Sequence, residues 1–312
     1  MQQPSDQSVP ASMSPTQLAT QSARAGPASA ECRLCDVRLA LTGPTAAERY
    51  AAGHLPGAAF VELDRDLSRA QPGGPGGRHP LPSCEDFAQT LSRLGIGPDT
   101  QVVVYDDGEG AAAARCWFLL RLHGHAKVSL LDGGLAAWKQ EGRPLSTEPF
   151  TPPPAQLRTL SRDESLLAPR QEIEHLVATR GTHRDTHRGT HTEGARWPLL
   201  FDARAPERYR GEVEPLDPVA GHIPGAVNLP FVRALRGPPG DLRFKSADEL
   251  RALFAQAGVP GRQVIASCGS GVTACQTLFA LSLAGYGGRL YAGSWSDWIS
   301  DPAAEVARGS VP

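Results

Sequence analysis

The 312-residue chain has no apolar run near the ~20 residues of a membrane-spanning helix, which excludes a helical membrane protein. It also lacks a charge excess. Lys and Arg (31) nearly cancel Asp and Glu (33), leaving −2, so nothing marks it for nucleic acid or an anionic membrane surface. Residues 1–30 have no apolar stretch of the secretory type and a single arginine, Arg24, where a transit peptide needs several. Rich in Ser, Pro, Gln, Thr and Ala, they read as a disordered tail, with the cytoplasm as the expected compartment. Cysteines are few: Cys32, Cys35, Cys84, Cys116, Cys268 and Cys275. Without a secretory signal they are expected as free thiols. Cys32 and Cys35 form a C-x-x-C, but no second pair completes a zinc site, so they read as ordinary thiols beside a strand.

The length suits about two domains, and the chain says nearly the same thing twice. Gly53-His54-Leu55-Pro56-Gly57-Ala58 returns as Gly221-His222-Ile223-Pro224-Gly225-Ala226. Asp36-Val37-Arg38 before the first copy matches Asp202-Ala203-Arg204 before the second. Gln101-Val102-Val103-Val104 matches Gln263-Val264-Ile265-Ala266. Leu131-Asp132-Gly133-Gly134, ending at Trp138, matches Tyr291-Ala292-Gly293-Ser294, ending at Trp298. The order is kept throughout, as in a domain duplication.

Short apolar runs (Val102–Val104, Val128–Leu131, Val264–Ala266) read as buried strands. Longer stretches between them, Ala111–Leu122 and Thr273–Leu283, read as helices. This alternation predicts an α/β protein of two domains, each a mainly parallel sheet flanked by helices. Ligands are expected at the carboxyl ends of the strands, in the loops after Val104 and Ala266. The domains are placed at 31–145 and 161–312, with a proline-rich linker at 146–160. A His/Thr/Arg-rich insert at 181–193 holds His183, His187 and His191, with no carboxylate or cysteine to complete a metal site, and reads as a solvated loop.

The strongest local signal is Val264-Ile265-Ala266-Ser267-Cys268-Gly269-Ser270-Gly271-Val272-Thr273-Ala274-Cys275. A buried strand runs into a cysteine, a glycine-rich turn and an apolar helix. Two glycines close behind Cys268 let the chain curl so that backbone N–H groups and a helix N-terminus face one point. Such a cradle favours the nucleophilic thiolate and would hold a persulfide. A cysteine-dependent phosphatase uses the same geometry but needs an arginine six positions on, where this chain has Ala274. A non-catalytic binding or sensor module is the other alternative, although such a module has no need of a nucleophile in its loop.

The loop Cys268-Gly-Ser-Gly-Val-Thr273, the two Gly-His-x-Pro-Gly-Ala copies and the terminal Gly-Ser-Trp-x-x-Trp298 resemble the tandem rhodanese family. The loop is similar to that of its 3-mercaptopyruvate sulfurtransferases, whose thiosulfate-using relatives carry basic residues there. The resemblance covers residue 31 to the C-terminus. It implies transfer of sulfane sulfur from 3-mercaptopyruvate or thiosulfate to a thiol or cyanide, with no metal or organic cofactor. A thiol reductant protein such as thioredoxin is an implied partner. Cys268 would accept sulfur, and the backbone from Gly269 through Gly271 and Val272 to Thr273 would form the cradle. Ser270, His79 and Asp64 would form a proton relay, a histidine passing protons near neutral pH while a carboxylate orients it. Arg208 would bind the donor's anionic group and Arg204 would pair structurally with Asp202.

The chain departs from this pattern where a second arginine is expected, nine residues after Arg208. It has Asp217 there, a carboxylate expected to repel an anionic donor. In the first repeat Asp106 falls on the position of Cys268, and an aspartate cannot accept sulfane sulfur. That repeat is therefore expected to be inactive, retained to wall the cleft and supply His79 and Asp64. His54 and His222 occur in both repeats and are expected to fix turns.

Overall fold

The computed structural model describes residues 11–19, 32–40, 43–69, 76–183, 197–238 and 242–312. They divide into two compact units. The first takes its residues from Met1–Leu67, Pro82–Arg162 and Gly237–Arg243, the second from Ser68–Leu81, Asp163–Arg236 and Phe244–Pro312. Ser68–Leu81 lies inside the first repeat in sequence yet belongs to the second unit, and His79 goes with it.

The first unit is built on a five-stranded parallel sheet in the order β1 (Ser12–Met13), β5 (Val128–Leu131), β4 (Gln101–Tyr105), β2 (Cys32–Arg38), β3 (Ala58–Glu62). Val102, Val103 and Val104 are fully buried, as expected of a strand covered on both faces. Its helices include α1 (Ala46–Ala52), α2 (Leu63–Asp66), α3 (Cys84–Arg93), α4 (Ala111–Leu122) and α5 (Gly134–Gln140). The expected disorder of the first 30 residues does not hold at 11–19. Ser12 and Met13 pair with Leu130 and Leu131, while Met13 and Leu18 are buried in the core beside Leu131 and Trp138. A two-residue strand owes its existence to that edge and has no periodicity of its own to show.

The second unit carries a four-stranded parallel sheet in the order β9 (Arg289–Leu290), β8 (Val264–Ser267), β6 (Leu199–Asp202), β7 (Val227–Asn228). Around it lie α6 (Arg170–His183), α7 (Pro206–Tyr209), α8 (Ala247–Gln256), α9 (Thr273–Leu283) and α10 (Ser294–Trp298). The insert begins at the end of α6. Its His187 and His191 lie outside the described residues. Among those residues no helix is long and apolar enough to cross a membrane.

Each unit repeats the same internal device at its Gly-His-x-Pro-Gly turn. In the first, Arg38 pairs with Asp36 and donates to Gly53 O at 2.9 Å; in the second, Arg204 pairs with Asp202 and donates to Gly221 O at 2.7 Å. His54 stacks on Tyr50 and donates from Nδ1 to the Tyr50 carbonyl (2.9 Å), as His222 does with Tyr209 (2.8 Å). Both histidines are fully buried and hold turns, as their presence in both repeats implied.

Candidate active site

Cys268 follows the last residue of β8 and is buried. The amide of Gly271 donates to its Sγ at 3.1 Å. Gly271 has φ +78°, and a Cβ there would sit 2.4 Å from the Ala292 carbonyl oxygen, so only glycine closes this turn. From Thr273 the chain enters α9. The other edge of the loop is tied to α10. Trp295 N–H donates to Cys268 O (3.0 Å) and Ser296 N–H to Gly269 O (2.9 Å). The Ser294 hydroxyl accepts from Cys268 N–H (3.0 Å) and donates to Tyr291 O (2.9 Å). In sequence Ser294 stands out as part of the repeat and of the Gly-Ser-Trp motif; here it fixes the backbone of the cysteine.

No comparable setting surrounds the C-x-x-C. Cys32 and Cys35 both lie in β2, where a spacing of three puts them on opposite faces. Burial pushes the Cys35 thiol up to about 12 and raises Cys32 too. Burial also holds Cys116 well above the usual thiol range.

The segment 76–79 is docked on α10 by its backbone. Gly76 N–H donates to Asp297 Oδ1 (3.0 Å) and Arg78 N–H to Ser296 Oγ (3.0 Å). Between them Gly77 has φ +79°, and a Cβ there would lie 2.4 Å from Ser296 Oγ. This docking brings His79 to the loop. Its Nδ1 lies 2.7 Å from Ser270 Oγ, and both residues are buried. Asp64 lies in the first unit on α2, where it lines a cavity of about 240 Å³ with Arg38, Thr45 and Glu62. Of the three relay residues, the second unit thus joins Ser270 and His79.

Three arginines and three carboxylates lie beside the loop. Arg204, held by Asp202 (2.6 Å) and Glu214 (3.3 Å), stacks 4.9 Å from the Trp295 ring. Burial works against its charge, yet Asp202 above all, with Glu214, holds its pKa above the ordinary value. Arg208 donates to Glu214 (2.6 Å) and lies 3.4 Å from Asp217. Arg78 forms a second ion pair with Asp217. The sequence expectation for Asp217 is therefore corrected: it is no bare carboxylate facing a donor but the shared partner of two guanidiniums. Arg208 and Arg78 thus lie beside Gly269, whose loop has no basic residue of its own. Arg78 was missed because its partner lies 139 positions away. The available signal was the acid at 217 together with a basic residue directly before His79.

Asp106 occupies the corresponding loop of the first unit. Its carboxylate accepts backbone N–H groups from Gly108 (3.0 Å), Gly110 (3.0 Å), Ala112 (3.1 Å) and Ala113 (3.1 Å). The Leu135 amide donates to Asp106 O at 3.0 Å, as Trp295 does to Cys268 O. Here the carboxylate fills its own cradle, and burial raises its pKa in spite of the four donors.

The rhodanese-like domain family matches residues 14–141 and 186–301. The chain belongs to the rhodanese family. It is a sulfurtransferase of the tandem type. It is 45% identical over 279 residues to a Pseudomonas aeruginosa protein named "Probable 3-mercaptopyruvate sulfurtransferase", covering 88% of this chain and 91% of that one. It is 34% identical over 304 residues to the thiosulfate sulfurtransferase of Bos taurus, covering 94% of each. The crystal structure of SseA from Escherichia coli, described among the 3-mercaptopyruvate sulfotransferases, matches with TM-score 0.73 and 30% identity over 92% of this chain and 99% of that one. These matches fit the strand–cysteine–glycine loop–helix geometry of the second unit.

Proposed function

We propose that Cys268 takes sulfane sulfur from 3-mercaptopyruvate and passes it to a thiol or cyanide through a persulfide. The carrying observation is the Gly271 amide on Cys268 Sγ, in a loop whose Ser270 meets His79 at 2.7 Å. The thiolate attacks the donor sulfur and the carbon–sulfur bond breaks, leaving Cys–S–S⁻ and the enolate of pyruvate. The donor's thiol proton ends on the enolate carbon. Ser270 and His79 are suited to move it, with Asp64 assigned as the orienting carboxylate. The amides from Gly269 and Gly271 through Val272 to Thr273, at the start of α9, suit the persulfide anion. Arg208 suits the donor's carboxylate, since a guanidinium grips it with two parallel bonds.

Transfer to cyanide then gives thiocyanate and restores the thiolate. Transfer to a thiol gives the acceptor persulfide, and a reductant such as thioredoxin is the protein acceptor of fitting chemistry. Six free cysteines suit a reducing compartment, so we place the reaction in the cytoplasm. Thiosulfate is the second donor, favoured by the cationic groups beside the loop and leaving as sulfite.

Side-by-side turnover of the two donors by wild type and Cys268→Ser tests the reading. Mercaptopyruvate is expected to be the faster, and Cys268→Ser should lose transfer from both while keeping its far-UV spectrum. Substantial activity in that variant would remove Cys268 from the mechanism.

A further inference from the structure

Asp217 has 3% of its side chain exposed, Arg208 18% and Arg78 31%. The carboxylate is therefore the inner member of the group and the guanidiniums the outer ones. Both guanidiniums converge on the residue after the nucleophile. A Cβ on Gly269 would come within 3.1 Å of Arg78 Nη2 and 3.5 Å of Arg208 Nη2. Arg78 contacts Asp217 through Nη1, so Nη2 is the nitrogen turned toward the loop.

From this we infer that Arg78 is a second donor-binding residue, held over Gly269 by Asp217 so that it and Arg208 together receive the donor's carboxylate. The inference rests on the sulfur-transfer reading for the donor's identity, and on the geometry alone for an anion site beside Cys268. It also explains the acid at 217. An arginine there would supply its own cation, whereas this chain brings one from the segment 76–79 and needs an anchor for it. Both oxygens of the anchor are engaged, Oδ1 by Arg78 and Oδ2 by Arg208, which Glu214 holds from its other side at 2.6 Å. The ligand class is a small monocarboxylate whose reactive atom lies a few bonds from the carboxylate, as in a 3-mercapto-2-oxo acid.

Two measurements separate this site from the reaction. The first is the rate at which Cys268, located by peptide mass spectrometry, is alkylated by iodoacetate relative to neutral iodoacetamide. Each reagent forms one S–C bond and releases iodide, and neither needs a sulfur donor. In Arg78→Gln the ratio should fall about fivefold, as loss of one nearby partly exposed cation implies. The second is the KM for mercaptopyruvate, expected to rise about tenfold in the same variant for a lost charged hydrogen bond, with kcat within about twofold. Arg78→Lys should keep at least half the wild-type ratio. An unchanged ratio in a folded Arg78→Gln overturns the inference, whatever the turnover. If the wild type turns over neither donor, the sulfur-transfer reading fails and the alkylation ratio still decides the role of Arg78.

Discussion

Asp217 keeps 3% of its side chain exposed and places its two carboxylate oxygens on different arginines. Read from sequence, it is an anion where an anion-binding arginine belongs, and Asp217→Arg looks like a gain for the donor. The geometry reverses that expectation. A third guanidinium there would be buried against Arg78 and Arg208, in place of the carboxylate that both now pair with. Breaking a buried charge pair costs about 3–5 kcal/mol. Asp217→Arg alone should lower the denaturation midpoint accordingly and raise the KM for mercaptopyruvate. A lower KM with unchanged stability would show that the carboxylate does oppose the donor. Cys268, Ser270 and Arg208 were legible because each stands inside a motif a few residues long. Arg78 was not, since its meaning depends on a partner brought close by the docking of 76–79 on α10.

At the scale of elements, β8 and the helices α4 and α9 were legible from apolar runs alone, because strands buried on both faces and helices packed beside them leave continuous apolar segments. What escaped was held by tertiary pairing: the short β1 on the edge of β5, and the transfer of Ser68–Leu81 to the second unit. The Gly-His-x-Pro-Gly turn carries a testable cost. Desolvation lowers the pKa of His222, although the Tyr209 carbonyl that accepts from Nδ1 favours its charge; desolvation likewise lowers His125 in the first unit. Below the unfolded value of ~6.5 the unfolded chain takes up protons that these buried rings refuse. Their contribution is thus present above that pH and is lost as the pH falls below it. Denaturation midpoints should decline between about pH 7 and pH 5.5, and less steeply in His222→Gln. Equal slopes in the two proteins would show that another group governs acid stability.

On the scale of the whole molecule, duplication has produced two units with the same arginine–aspartate pair and the same histidine-on-tyrosine turn, but with different loops after the strand that ends at Tyr105 and the one that ends at Ser267. The residue at the head of the loop is Asp106 in the first and Cys268 in the second. Asp106 satisfies four amides with its own carboxylate, while the Cys268 loop aims its Gly271 amide at a sulfur atom. The first unit's loop therefore carries a carboxylate and not a thiol at this position, and its cradle is closed by an internal anion. After incubation with donor, the intact chain should gain one sulfur atom, removable by a thiol, and peptide mass spectrometry should place it on Cys268. Cys35 and Cys116, whose thiols burial holds protonated, should stay unlabelled. Asp106→Ala should leave this stoichiometry and the KM unchanged. It should cost roughly 1–3 kcal/mol of stability, because buried amides lose their acceptor. A second sulfur in the wild type, or a label on Cys32 or Cys35, would mean that the first unit keeps chemistry of its own and that the C-x-x-C is more than a pair of strand residues.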